Sequence, residues 1–252
     1  GAVVVANAGT ASITDVVVDS YNTAAITGNA LQNVTLKNSA ATGATVTTTQ
    51  TALNLTVDDV DGSVNLDQGA ASITNLTLNL EGANSTFGAG AGLIATLASN
   101  VTINAGANLT MPAATTVGSA AASTAVTVTG SGTVDLTNIG AANLTTINAA
   151  TNTGGVTATA TGVATQFTGG AGADNLTLVA GTTATTTMGA GNDTVVMTTL
   201  GAGGTVDGGE GTADVLSTTV ANAIAASANG TFDAAVTNFE RLLLNTNAGN
   251  ND

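Results

Sequence analysis

The sequence predicts an all-β chain, a parallel β-solenoid or β-roll with little helix. Three observations point that way. Short strand signals recur about every 21–25 residues, glycine-aspartate turns recur about every 20, and the side chains are too small for a conventional core. The 252 residues include 32 glycines and only five aromatics, one Tyr and four Phe. A period near 20 is the mark of stacked coils, in which each unit buries its apolar face against the next.

The strand repeat fills the first half. Asn33-Val34-Thr35-Leu36, Asn54-Leu55-Thr56-Val57, Asn75-Leu76-Thr77-Leu78 and Asn100-Val101-Thr102-Ile103 all read Asn, apolar, Thr, apolar. Ala125-Val126-Thr127-Val128 continues the series, and the successive intervals are 21, 21, 25 and 25. Alternation of period two describes a strand with one buried and one exposed face. Val and Thr suit that surface, and the Gly, Asn and Asp between units suit turns. Asn opens each strand and Thr faces solvent. At about 4.8 Å per rung, twelve coils would make a rod of roughly 58 Å. Residues 1–160 are read as this repeat, with an antiparallel β-sandwich as the alternative, because short strands and turns look alike in both. The helix signal is the Ala-rich stretch Ala221–Asn229.

Residues 161–252 are read as a β-roll with a C-terminal cap. Its three turns are Gly169-Gly170-Ala171-Gly172-Ala173-Asp174, Met188-Gly189-Ala190-Gly191-Asn192-Asp193 and Gly208-Gly209-Glu210-Gly211-Thr212-Ala213-Asp214. The first, continued by Asn175, Leu176 and Thr177, fits the calcium-binding nonapeptide G-G-x-G-x-D-x-U-x at every fixed position. The second has Met188 in place of the first glycine, and the third has one extra residue before its aspartate. The aspartates lie 19 and 21 residues apart, which lets consecutive turns stack. Ca²⁺ takes six to eight oxygens, mixing carboxylates with backbone carbonyls. Glycines allow several carbonyls to converge, and one aspartate per turn adds the charge. The expected metal residues are therefore Gly169, Gly170, Gly172, Asp174, Gly189, Gly191, Asn192, Asp193, Gly208, Gly209, Gly211 and Asp214. One ion is expected between the turns of Asp174 and Asp193, and another between those of Asp193 and Asp214. Half a coil away, Val179–Thr183 holds no acid, so calcium is expected along one edge only. A phosphate loop is not indicated, since no Gly-Lys-Ser/Thr follows these glycines.

Composition narrows function. There is no His and no Cys, and two cations, Lys37 and Arg241, face sixteen acids for a net charge of −14. The common zinc sites, thiol nucleophiles and Ser-His relays are thus unavailable, while paired carboxylates could still act as acid and base, so an enzyme is disfavoured and not eliminated. Nucleic acid and anionic membrane surfaces lack the Lys and Arg they need. No apolar run reaches membrane-spanning length. Gly1-Ala2-Val3-Val4-Val5, with neither Met nor a basic flank, reads as the cut end of a longer polypeptide rather than a secretory signal. Asp58-Asp59-Val60-Asp61-Gly62, with Asp67 behind it, lacks the third aspartate and the terminal Glu of an EF-hand and reads as a solvated acidic turn, with an additional cation site as the alternative. Thr45/Thr47, Thr127/Thr129 and Thr157/Thr159 are not read as an ice-binding ladder, because their spacing supplies no constant register.

Three stretches, NLTTINAATNTGGV at 143–156, QFTGGAGADNLTL at 166–178 and NFERL at 238–242, resemble the RTX-type surface-layer proteins of Gram-negative bacteria. The resemblance covers most of residues 130–252, and the Asn-apolar-Thr coils more loosely. It implies a calcium-rich solenoid, secreted unfolded by a type I route, that folds outside the cell and assembles with copies of itself into a lattice or filament on the cell surface. A cell-surface polysaccharide is the implied further partner. Neither nucleic acid nor membrane insertion is expected, and no enzymatic activity. A stalk segment of a large RTX adhesin is the alternative. An RTX protease is disfavoured, since H-E-x-x-H needs His, and the G-x-S-x-G elbow of a serine hydrolase is absent. In the cap, Phe239 is expected to cover the last rung and Arg241 to pair with a nearby acid.

Overall fold

A computed structural model describes residues 1–7, 13–39, 43–66, 73–88, 92–112, 115–118, 123–140, 143–228 and 230–245. Among the described residues every strand pair is parallel, which excludes the antiparallel sandwich and makes the chain a β-solenoid. Three sheets of six, eleven and eight strands form its sides. The eleven-stranded sheet runs the whole length, from Asp15–Asp19 to Val236–Thr237. Its rungs span about 48 Å at about 4.8 Å each. Both this sheet and the eight-stranded one continue across residue 160.

Coil length follows the number of sides. Near the N-terminus a coil alternates between the six- and eleven-stranded sheets, as in Asp15–Asp19, Thr23–Thr27, Asn33–Lys37 and Gly43–Thr47. Between Asn75 and Thr124 each coil carries three strands, adding Ser85–Thr86 or Leu109–Thr110 of the eight-stranded sheet. The 25-residue intervals fall here because a third side and a third corner must be traversed. From Leu144 onward the coils have two sides again, with the eight-stranded sheet now opposite the long one.

Inward side chains stack in columns. Val16, Val34, Leu55, Leu78, Ile103 and Val128 are register partners on successive rungs, all at most 8% exposed. Leu53, Leu76, Val101, Val126, Ile147 and Phe167 form a second column. Burying each of these contributes about 1.5–3 kcal/mol. The Asn-apolar-Thr units align as expected at Asn33 with Asn54 and at Asn75 with Asn100. At one step they do not: Asn54 pairs with Thr77, so that rung is shifted by two residues. A shift of two keeps every side chain on its own face, whereas a shift of one would turn the apolar set outward.

On the outer face the asparagines bond to one another across rungs. Asn54 donates to Asn33 (2.8 Å), which donates to Asp15 (2.6 Å). Asn100 donates to Asn75 (3.0 Å) and Asn104 to Asn79 (2.7 Å). These ladders add side-chain cohesion to a stack held mainly by backbone pairing. The three Thr pairs tested for an ice ladder lie on three different sheets.

The acidic stretch Asp58–Gly62 turns a corner. Ser20, Asn38, Asp59 and Gly82 stack there with φ of +57°, +50°, +54° and +58°, a left-handed position that short polar residues and glycine tolerate. Asp58 sits 3.8 Å from Lys37 and accepts from the Ala83 N–H at 2.8 Å. Its carboxylate is thus engaged by the protein, and Asp67 lies outside the described residues.

After the strand Val215–Thr219 the chain leaves the coil as two helices, α1 (Val220–Ser227) and α2 (Gly230–Ala235). The expected Ala-rich helix is α1; Asn229 lies outside the described residues. Thr219 caps α1 by accepting from the Asn222 N–H at 3.2 Å. The chain then forms the last rung, Val236–Thr237 and Arg241–Asn245. Phe239 packs against the core with Phe232 and Val236, as expected of the cap. Arg241 is exposed and forms no ion pair among the described residues, contrary to expectation. At an exposed position an ion pair gains little over hydration, and the last rung is instead closed by backbone pairing with the strand Val215–Thr219.

Candidate metal centre

All three glycine-aspartate turns occupy one corner, between the eleven- and eight-stranded sheets. Each aspartate immediately precedes a strand of the eight-stranded sheet: Asn175–Thr177, Thr194–Val196 and Val215–Thr219. Parallel pairing of those strands stacks Asp174, Asp193 and Asp214 in file. They are 2%, 0% and 0% exposed, which is extreme for carboxylates without a basic partner. Stretches 179–183 and 198–204, at the opposite corner, carry no acid.

A relay of hydrogen bonds links the column. The Asp174 N–H donates to Asp193 Oδ1 and the Asp193 N–H to Asp214 Oδ1, each at 2.7 Å. The column extends past the three motifs, because the Asp214 N–H donates to Glu240 Oε2 at 2.9 Å. Glu240 was not among the expected residues. Its position just before the strand Arg241–Asn245 is the signal that it continues the series.

The turns differ in how far protein groups satisfy their carboxylates. Asp174 accepts at both oxygens, from Val156 N–H (2.6 Å) and Gly170 N–H (3.0 Å). Asp193 Oδ2 and Asp214 Oδ2 are buried with no hydrogen-bond partner among the described residues. A buried, unpartnered charged oxygen is costly, and a cation is one of the few things that offsets it. Burial raises the Asp174 carboxyl, opposed by its two N–H donors. Burial likewise pushes Asp193 up to about 7, opposed by the Asp174 N–H and reinforced by the neighbouring Asp174 and Asp214 carboxylates.

The glycines leave room around these oxygens. Gly191 has φ +133°, and a Cβ there would lie 2.6 Å from the Gly172 carbonyl oxygen. A Cβ on Gly211 would collide with both oxygens of Asp214, and one on Gly169 with Asp174 Oδ2. Gly189 and Gly209 stack with φ of +93° and +92°, and Gly170 and Gly208 are buried beside them. Met188 can replace a glycine because its backbone has no positive φ and its side chain points into the core, fully buried. Asn192 is exposed, and its Oδ1 accepts from the Thr212 N–H at 3.3 Å, bracing one turn on the next.

Among the described residues no three carboxylates gather round one point. An ion here would draw on one or two carboxylates, with glycine carbonyls completing its shell, a donor set that suits Ca²⁺. The all-oxygen, anionic, glycine-lined corner fits that ion. The chain matches no family model, no curated protein and no solved structure.

Proposed function

We propose that this chain is a calcium-dependent structural protein of the cell exterior, a surface-layer subunit that assembles with copies of itself into a lattice or filament. The observation that carries this reading is the pair of buried carboxylate oxygens, Asp193 Oδ2 and Asp214 Oδ2, that no group among the described residues satisfies. Calcium supplied between the stacked turns would neutralise them. Extracellular modules bind calcium at about 10⁻⁴–10⁻³ M, so such sites would fill outside the cell and stay empty inside it. A net charge of −14 opposes both compaction and association until divalent ions screen it. The resemblance to RTX surface-layer proteins supports the same role, secretion by a type I route and a cell-surface polysaccharide as anchor. The reading assigns no catalysis to a chain without His or Cys.

Negative-stain electron microscopy with and without millimolar calcium tests the proposal. Ordered sheets or filaments that form with calcium and disperse in chelator are the expected result. Isolated rods under both conditions would overturn the lattice role.

A further inference from the structure

We propose that Glu240 completes an additional divalent-cation site, in the corner Gly208–Asp214, that clamps the last rung onto the solenoid. The inference rests on the calcium reading above and extends it to a residue outside the three glycine-aspartate motifs.

Three observations lead to it. First, Glu240 meets the Asp214 N–H as Asp214 meets that of Asp193 and Asp193 that of Asp174, so the carboxylate relay has four members. Second, Asp214 is fully buried and its Oδ2 has no partner, and both its oxygens face the turn glycine Gly211. Third, nothing cationic approaches: Arg241 follows Glu240 in sequence yet forms no ion pair among the described residues. A fully buried carboxylate with one oxygen unsatisfied and no basic partner, whose backbone N–H is held by the exposed Glu240 carboxylate, calls for a cation from solution.

The last corner is built differently from the three glycine-aspartate corners. It passes from Thr237 to Arg241 through three residues, where those use six or seven, and so returns to the length of the corners after Gly130 and Asn152. Asn238 makes the shortcut with φ +58°, and its carbonyl oxygen closes on Gly208, where no Cβ would fit. The Asn238 side chain donates to Asp207 Oδ1 at 2.7 Å, fastening this corner to the rung below. A glutamate reaches one methylene further than an aspartate, which fits a carboxylate set on a shortened turn. The site would therefore join Asp214, on the rung before helices α1 and α2, to Glu240, on the rung after them. Cation binding would then order the helical excursion and the final strand together.

Calcium titration calorimetry on the full chain at pH 7.5 tests this, comparing wild type, Glu240→Gln and, as a remote acid control, the exposed Glu81→Gln. Glu240→Gln should lose one ion or bind it at least tenfold more weakly, while Glu81→Gln matches wild type. Wild type that takes up no calcium would overturn the calcium reading and this site with it. Wild type that binds calcium while Glu240→Gln binds the same number equally tightly would overturn this site alone. Hydrogen exchange on wild type covers the case in which the variant misfolds. Calcium should slow exchange across 236–245 at least tenfold. Protection confined to 188–214, with 236–245 unchanged, would contradict the clamp.

Discussion

Replacing Asp193 by Asn should have opposite effects with and without calcium. Asp193 is fully buried, its Oδ2 is unpartnered among the described residues, and burial pushes its carboxyl from the ordinary carboxylate range up to about 7. A carboxyl raised by folding binds its proton more tightly in the native state, so calcium-free stability falls as pH rises between about 4 and 7. At about 1.4 kcal/mol per pH unit, the full penalty above pH 7 is about 4 kcal/mol. Asparagine removes that charge and keeps an oxygen for the Asp174 N–H, which Asp193 now accepts at 2.7 Å. Without calcium at pH 8, Asp193→Asn should therefore melt higher than wild type, by up to about 8–16 °C at about 2–4 °C per kcal/mol. At pH 4 the two should nearly coincide. With calcium at a hundred times its dissociation constant, each filled site contributes about 2.7 kcal/mol, and the variant forfeits that gain. Differential scanning calorimetry at pH 4 and 8, with calcium or chelator, gives the four values. A variant less stable than wild type at pH 8 in chelator would refute the reasoning, as would equal calcium-induced shifts in both proteins.

Other positions test the scaffold. Gly191→Ala forces a side chain onto φ +133° and against the Gly172 carbonyl, so it should cost at least about 1–3 kcal/mol, seen as a lower thermal midpoint by circular dichroism. Leu78→Ala, in the column between Leu55 and Ile103, should cost about 2–5 kcal/mol in denaturant unfolding, with calcium uptake retained. Asn79→Ala removes the acceptor of the 2.7 Å bond from Asn104 and should cost about 1 kcal/mol in the same assay.

Much of the architecture was legible because a solenoid writes its period into the chain. The Asn-apolar-Thr units marked the strands and their faces. Asn opens the strand at Asn33, Asn75 and Asn100 but not at Asn54, whose strand begins at Ala52. Asn33 with Asn54 and Asn75 with Asn100 are true register partners. The slip at Asn54 was hidden, because a two-residue shift leaves the alternation untouched. The number of sides was hidden too, although the change of interval from 21 to 25 marks where the third side enters. At the corner, the spacing of Asp174, Asp193 and Asp214 announced their stacking. It could not reveal that Asp174 is satisfied by Val156 and Gly170 while its two successors are not, since that depends on N–H groups from neighbouring turns. Glu240 escaped notice because α1 and α2 stretch its interval from Asp214 to 26 residues and no glycine turn precedes it.

The central claim is that divalent ions lie in the acidic corner. Anomalous diffraction from crystals soaked in calcium or a lanthanide locates them directly. Peaks are expected about 2.3–2.6 Å from Asp193 Oδ2 and Asp214 Oδ2. No density at that corner under saturating metal, or peaks only near Asp58–Asp61, would contradict it.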